Sequence, residues 1–366
     1  MQRTIEQWRA IATECLRDFL STERAFIVPE LEAKLADRRW GEFPSINPHH
    51  LTTARQALQR SGEISVQHEQ TRGKGWITTY SVTTRVKDAS RRAARKRLLY
   101  GRYLGWNRET SDWKPAPIPA GLERVIHASL TAAAPYGYRL LAPGGGEVRT
   151  IFGERVPGGP VDNAALHTAL QETGLPGATT LVPIEAKNIR QWVYPRTQEL
   201  FQLLDKSASL HERHPEVPIT PVFVCRRLMA PTAWMAQQMG FHVIETKKQY
   251  IRPVVAEKDE DARRKFDEVN DELGFNLTAH EGEVPPMTSQ FAKTLPRRIA
   301  DASERWAIVA DHPRVPDLLA QLRDKEISDE TRLACLEELG RSVQEATGEN
   351  VGWTSVERSD DPDDPF

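Results

Sequence analysis

Apolar residues recur at helical spacing from the first positions, with Ile5, Trp8, Ile11, Ala12, Cys15, Leu16 and Phe19 sharing one face. A second short helix is predicted over residues 29–35, with Pro29 near its first turn. A third has Asn47 as its N-cap, Pro48 as its first residue and Gly62 as its stop. The pattern then turns to a period of two. Residues 64–66 and 76–82 read as strands joined by a polar turn over 70–75. Residues 90–99 return to helix. Trp106, Trp113 and the alternating Pro115, Pro117 and Pro119 mark a boundary.

Beyond that boundary a helix is predicted over 121–133, with strands over 138–141 and 147–152. Turns at Pro143-Gly144-Gly145-Gly146 and Pro157-Gly158-Gly159-Pro160 separate these pieces. Residues 163–172 read as a short helical insertion ahead of a third strand ending in Leu181-Val182-Pro183-Ile184-Glu185-Ala186-Lys187. Helix 195–210, strand 219–225, helix 231–239 and strand 242–250 follow. Strands separated by helices imply parallel crossovers, while the first three can form a meander. From about 256 to 348 the pattern is helical. Ser328 opens a helix striped by Leu333, Leu336, Leu339 and Val343, more often a core or dimer face than a chemical one.

This order predicts an α/β core with a mixed sheet, preceded by an α+β segment and followed by a helical extension. The expected boundaries are 1–86, a basic connecting helix over 87–117, the core over 118–255, the extension over 256–350 and an acidic, disordered tail over 351–366.

The net charge of −2 hides a segregated distribution. From 85 to 102 there are Arg85, Lys87, Arg91, Arg92, Arg95, Lys96, Arg97 and Arg102 against the single acid Asp88, whereas Asp360, Asp361, Asp363 and Asp364 end the chain. That asymmetry predicts one polyanion-facing region, with the basic helix as a phosphate-contacting connector. Cys15, Cys225 and Cys335 are too isolated for a disulfide framework or a zinc knuckle. With no long apolar run and no signal-peptide core, a cytoplasmic protein without a membrane partner is expected. The glycine turns lack the Lys-Ser/Thr helix of a phosphate-cradling loop, so no nucleotide cofactor is evident.

The candidate chemistry lies at Glu185 and Lys187, two residues apart on a strand and therefore on one face, with Val182, Ile184 and Ala186 on the other. Asp162 supplies a second acid from an upstream segment, and Glu154 a backup. Two carboxylates suit a hard divalent cation, and an adjacent ammonium suits charge developing on phosphorus. A Glu-x-Lys pair alone is ordinarily a solvated ion pair of little consequence. Its place at the end of an internal strand is what raises its meaning.

Two resemblances extend this reading. Three helices followed by a basic, glycine-bearing hairpin resemble the winged-helix domain over about the first 85 residues. The resemblance implies that the third helix enters the major groove of double-stranded DNA with His49, His50, Thr52, Thr53, Arg55, Gln56 and Arg60, while Arg72 and Lys74 of the wing touch the backbone. Arg91, Arg92, Arg95 and Lys96 of the connector would add phosphate contacts. A winged helix used for protein contact is the competing reading.

From 121 to 250, the element order with an acid after the second strand and Glu-x-Lys on the third resembles the PD-(D/E)XK, or restriction-endonuclease-like, nuclease superfamily. The resemblance implies Mg²⁺, or Mn²⁺ in its place, held by Asp162, Glu185 and the Ala186 carbonyl, with Lys187 as the catalytic lysine. Val161 stands where the family usually has the proline, which is Pro160 here. Asn188 and Gln198 are accessory candidates. The implied activity is metal-dependent hydrolysis of DNA phosphodiesters, in restriction or anti-phage defence. Double-strand cutting needs two active sites or two visits, so a homodimer is expected. A DNA-binding regulator on an inactive nuclease-like scaffold and a structure-specific repair nuclease are the alternatives.

Overall fold

Thr4 opens the first helix, α1 (Ile5–Glu23), with a reciprocal cap: its side chain accepts from the Gln7 amide, and the Gln7 side chain accepts from the Thr4 amide. After β1 (Ala25–Phe26), α2 (Val28–Leu31) runs into a wide turn at Glu32–Ala36. The Asn47 side chain caps α3 (Pro48–Arg60) by accepting from the His49 amide. Strands β2 (Ile64–Gln70) and β3 (Trp76–Val82) form an antiparallel hairpin, and β1 pairs with β3 to complete a sheet of order β1-β3-β2. A two-residue strand has too little pattern to announce itself. Basic α4 (Ala89–Trp106) follows.

These elements belong to one of two compact units in the computed structural model, which describes residues 3–70, 75–84, 88–170 and 173–353. Among the described residues, the first unit comprises 3–117 with Pro253–Thr278, the second Ile118–Arg252 with 279–353. The expected extension over 256–350 is therefore not one piece. Its first helix, Glu260–Leu273, joins the N-terminal unit because its acids neutralise α4: Glu272 accepts from Arg95 at 2.6 Å, and Glu268 from Arg102 at 2.6 Å.

The second unit is built on a five-stranded mixed sheet. Helix α5 (Pro117–Ala132) precedes β4 (Tyr138–Leu140), β5 (Asn163–Leu170) and β6 (Pro176–Lys187), which form an antiparallel meander. Helix α6 (Gln198–Arg213) then crosses to β7 (Val222–Cys225), and α7 (Ala230–Met239) to β8 (His242–Glu245), with β6, β7 and β8 mutually parallel. The sheet order is β8-β7-β6-β5-β4. The sequence predicts helix over 163–172 and a second strand over 147–152, and both expectations fail. Asn163–Leu170 is that second strand, while 150–155 forms a separate small hairpin of Thr150–Ile151 with Glu154–Arg155. Alanine and leucine favour helix intrinsically, but pairing to β4 on one side and β6 on the other overrides them. Ala164 and Ala165 are buried there.

The expected strand over 242–250 is also two strands, His242–Glu245 and Gln249–Ile251. One face of the sheet packs Val182, Ile184, Val222 and Val224 against α5 residues Leu122, Val125 and Ile126. The other packs Leu181, Phe223 and Cys225 against Leu200, Leu203 and Leu204 of α6 and against three C-terminal helices. These are α8 (Ile299–Ala310), α9 (Val315–Arg323) and α10 (Asp329–Thr347). Cys15, Cys225 and Cys335 are buried free thiols. Among the described residues, no helix is long and apolar enough to cross a membrane.

Candidate active site

Residues at the end of β6 alternate between the two sheet faces, as the sequence predicts. Val182, Ile184 and Ala186 join the core on the α5 side, leaving Glu185 and Lys187 to the α6 side. Glu185 is 3% exposed. A carboxylate there requires partners, and it has two: Lys187 Nζ lies 2.9 Å from Oε1 and Lys206 Nζ 3.2 Å from Oε2. Asp162 lies just before β5, where its Oδ2 accepts from the Ala186 amide at 2.6 Å. The two acids predicted from sequence are thus brought to one strand end. Ala186 follows Glu185 directly, and its amide is bound to the other acid.

The electrostatics are those of crowded carboxylates. Burial, then the negative charge of Glu185, pushes the Asp162 carboxyl up to about 7, against the opposing Lys187 charge and Ala186 amide. Burial pulls the Lys187 ammonium down, but Glu185 and Asp162 outweigh it and leave its pKa raised. Lys187 therefore stays an ammonium at neutral pH. As an ammonium it can stabilise negative charge nearby, and it is not poised to abstract a proton.

Sequence reasoning missed three charged residues here. Glu123 of α5 is held above its usual range by burial and then by Glu147, with Lys187 opposing and Glu185 adding, which places it in the same field. Glu199, in the first turn of α6, acts on Lys187, and its Oε2 is buried without a hydrogen-bond partner. Lys206 sits on the buried stripe of α6 among Leu203, Leu204, Ser207 and Leu210. A lysine inside an apolar stripe is a signal the sequence did contain.

The PGGP turn ahead of Asp162 is anchored from two sides. Lys206 donates to the Pro160 carbonyl at 2.5 Å, and Arg323 of α9 donates to the Gly158 carbonyl. Gly158 has φ +70, and a Cβ there would run into the Arg323 guanidinium. Arg323 is itself fixed by Asp205 at 2.7 Å. The C-terminal helices thereby support the turn that presents Asp162.

The accessory candidates have other duties. Asn188 is buried, and its amide donates to the carbonyls of Ile118 at 2.6 Å and Tyr250 at 2.5 Å, tying the end of β6 to its neighbours. Gln198 donates to the Arg323 carbonyl at 2.5 Å. Glu154 lies on the small exposed hairpin, 3.7 Å from Arg213.

The residues expected to meet DNA divide in the same way. Arg55 is buried, hydrogen-bonded to the Tyr80 hydroxyl and stacked 4.6 Å from its ring centre, so it does not lie on an open reading face. Arg55→Ala should cost about 2–4 kcal/mol of stability, read as a lower melting midpoint, with duplex affinity unchanged while the variant is folded. A folded Arg55→Ala protein that no longer binds DNA would return the residue to the interface. His50 is half-buried and stacked beside Trp8, and the Thr53 hydroxyl is turned back to the His49 carbonyl. Gln56 is half-buried and Arg60 exposed. Lys96 is buried between Glu23 and Glu30, and Arg95 is paired with Glu268 and Glu272; neither is a spare cation for phosphate. Arg91 and Arg92 remain exposed. Arg72 and Lys74 lie outside the described residues.

As to a metal, no group of three or more His, Cys, Asp and Glu among the described residues is arranged to hold an ion unaided. The donors that converge are the two carboxylates of Asp162 and Glu185, and two hard oxygen ligands suit Mg²⁺, which keeps most of its waters. Burial first, and the Glu185 charge second, raise the Asp162 pKa, and a cation bound there would act in the opposite direction. Comparison with family models, with curated proteins and with solved structures finds no match to this chain.

Proposed function

We propose that this chain is a metal-dependent DNA endonuclease of the PD-(D/E)XK kind, with a winged-helix DNA-binding module in its N-terminal unit. The observation that carries the reading is the buried Glu185–Lys187 pair at the end of the third sheet strand, with Asp162 fastened to the amide between them. The element order supports it: a helix, a three-stranded meander, then α6 crossing to a parallel strand. For the first unit, the support is the order α1-β1-α2-α3-β2-β3 with a β1-β3-β2 sheet.

Asp162 and Glu185 would hold the divalent cation, which supplies Lewis-acid polarisation of the phosphate and a more acidic bound water. Lys187 remains protonated and donates to the non-bridging phosphate oxygens as negative charge grows on them. Asp162 keeps its hydrogen bond from the Ala186 amide, which holds its carboxylate at the end of β6. Water adds to phosphorus and releases a proton to solvent as one ester P–O bond breaks, and the departing deoxyribose oxygen takes up a proton from solvent water. Restriction or anti-phage defence is the setting we assign to this activity.

The test is incubation of plasmid DNA with Mg²⁺ or Mn²⁺. Nicked or linear products are expected, and none with chelator. Intact plasmid under every metal condition, with duplex binding retained, would make the chain a DNA-binding regulator. Discrete fragments favour restriction, and cleavage confined to branches or ends favours repair. On the DNA-facing side, Arg60, Arg91 and Arg92 are exposed cations. Replacing all three with Ala should lower the slope of log affinity against log salt by about one for each phosphate left without its cation. An unchanged slope would move the interface elsewhere.

A further inference from the structure

A cavity of about 550 Å³ opens between the C-terminal end of α7, the edge strand β8 and the first turns of α8. Part of its wall is apolar, with Ala236 and Phe241 buried in it. Gly240 gives the cavity its shape: with φ +81, a Cβ there would run into the backbone of Ala302 and Trp306, so glycine lets the end of α7 seat on α8. The place is separate from the Glu185–Lys187 pair. His242 stands in register with Val222, and Val222 with Ile184, and the last two face α5. His242 therefore belongs to the sheet face opposite Glu185.

The fold leaves the polar lining of this cavity open. Arg298, directly before α8, is exposed and makes no ion pair or side-chain hydrogen bond among the described residues. Asp301 lies one turn further on the same helix face, and Arg305 another turn beyond. Residues at that spacing ordinarily pair, yet Arg305 turns to Glu349 at 2.8 Å and Asp301 pairs with neither arginine. Gln237 of α7 likewise makes no side-chain hydrogen bond among the described residues. Beside them His242 is 7% exposed, and its Nε2 is buried without a hydrogen-bond partner. Burial first, then the Arg298 charge, lowers the His242 pKa to about 4, so the imidazole is neutral and lies in the field of that guanidinium.

We infer that this cavity binds a small phosphorylated sugar, free or as the sugar-phosphate part of a nucleotide. Its volume and its few convergent polar groups are those of a small-molecule site, for which about 300–1,000 Å³ is usual. Arg298 meets the phosphate through charge-assisted hydrogen bonds. Asp301 accepts from sugar hydroxyls, the pairing by which a carboxylate holds a ribose, and the Gln237 amide both donates and accepts. A bare anion would answer Arg298 and set a like charge against Asp301, whereas a neutral sugar would leave Arg298 without its counter-charge. A ligand carrying both groups answers both side chains. The inference does not depend on the nuclease reading.

The test is calorimetric titration of the full chain, without added metal, with ribose 5-phosphate and with AMP. Inorganic phosphate, ribose and glycine are titrated beside them. Ribose 5-phosphate and AMP should each bind one per chain, phosphate should bind more weakly, and ribose and glycine should not bind. AMP binding the tighter names a nucleotide as the source, and equal affinity names the sugar phosphate. Arg298→Gln should weaken ribose 5-phosphate by about 10–100-fold, the loss of one hydrogen bond to a charged group. Asp301→Ala should bring ribose 5-phosphate down to the affinity of phosphate. Both side chains are exposed, and thermal melts confirm that each variant folds. In histidine NMR spectra the His242 ring signals should shift on saturation. With Arg298, Asp301 and Arg305 the charged groups around it, the His242 pKa should rise, because bound phosphate offsets the Arg298 charge. The site is overturned if neither ester binds, if glycine binds in their place, or if phosphate binds as tightly as ribose 5-phosphate. Binding that Arg298→Gln leaves unchanged, with unmoved His242 signals, would place the ligand elsewhere and overturn it too.

Discussion

Glu185→Gln and Lys187→Met, made singly, should each abolish Mg²⁺-dependent plasmid cleavage, with duplex binding retained. For Lys187→Met the expected fall is about 10²–10³-fold, the usual cost of losing a preorganised donor to a developing oxyanion. Glu185→Gln should fall further, because it also removes a ligand charge from the cation. Gln and Met are chosen over Ala for a structural reason. Glu185 accepts from two buried ammonium groups, and Glu185→Ala would strand both. Breaking a buried pair in that way costs about 3–5 kcal/mol, so a dead Glu185→Ala protein could be an unfolded one. Near-wild-type cleavage by Glu185→Gln would remove the metal site from this strand. Near-wild-type cleavage by Lys187→Met would leave the cation as the sole stabiliser of charge.

That this pair is legible in the sequence has a simple cause. A strand repeats every two residues, so the partition of Val182, Ile184 and Ala186 from Glu185 and Lys187 follows from the pattern alone, and the sheet preserves it. Asp162 is legible as an acid in the right stretch, but its strand is not. Asn163–Leu170 carries the alanines and leucines of a helix, and only its two neighbouring strands decide otherwise.

Charge is the least legible property. Eight cations over 85–102 look like a phosphate track, yet Arg95 and Arg102 meet acids more than 160 residues away, and Lys96 meets Glu23 and Glu30. Counting charges along a chain says nothing about partners that only folding supplies. Arg55 misleads for the same reason: a position on the third helix does not say which side of it faces Tyr80. Lys206 and Glu123 escape notice because each lies on a helix whose sequence reads as structural, one after and one before the strand carrying the pair.

The strongest consequence for stability comes from Asp162. Its folded pKa is about 7 against an ordinary value of 3.8, so the folded state binds this proton more tightly than the unfolded chain does. Stability therefore falls as pH rises through that window and levels off above it. The full difference corresponds to about 4 kcal/mol, and partial access to water reduces this to about 2–3 kcal/mol. Asp162→Asn keeps an oxygen to accept from the Ala186 amide and carries no charge. At pH 8 it should melt roughly 4–10 °C above the wild type, with the gain vanishing near pH 4, where the folded wild type holds Asp162 protonated and uncharged. Mg²⁺ should raise the wild-type midpoint at pH 8 by neutralising the same carboxylate, and it should do little for Asp162→Asn. Cleavage should be lost, since a more stable fold is then one without its second anionic ligand. In the wild type at limiting Mg²⁺, cleavage should rise with pH through about 7, and the midpoint should move to lower pH as Mg²⁺ increases, because metal and proton compete for one oxygen. Melting curves at pH 4 and pH 8, with and without Mg²⁺, check the stability side, and cleavage rates between pH 5 and pH 8 check the rest. An Asp162→Asn protein that melts below the wild type at pH 8 would mean that the carboxylate is a structural ligand of the Ala186 amide and not a strained one awaiting a cation.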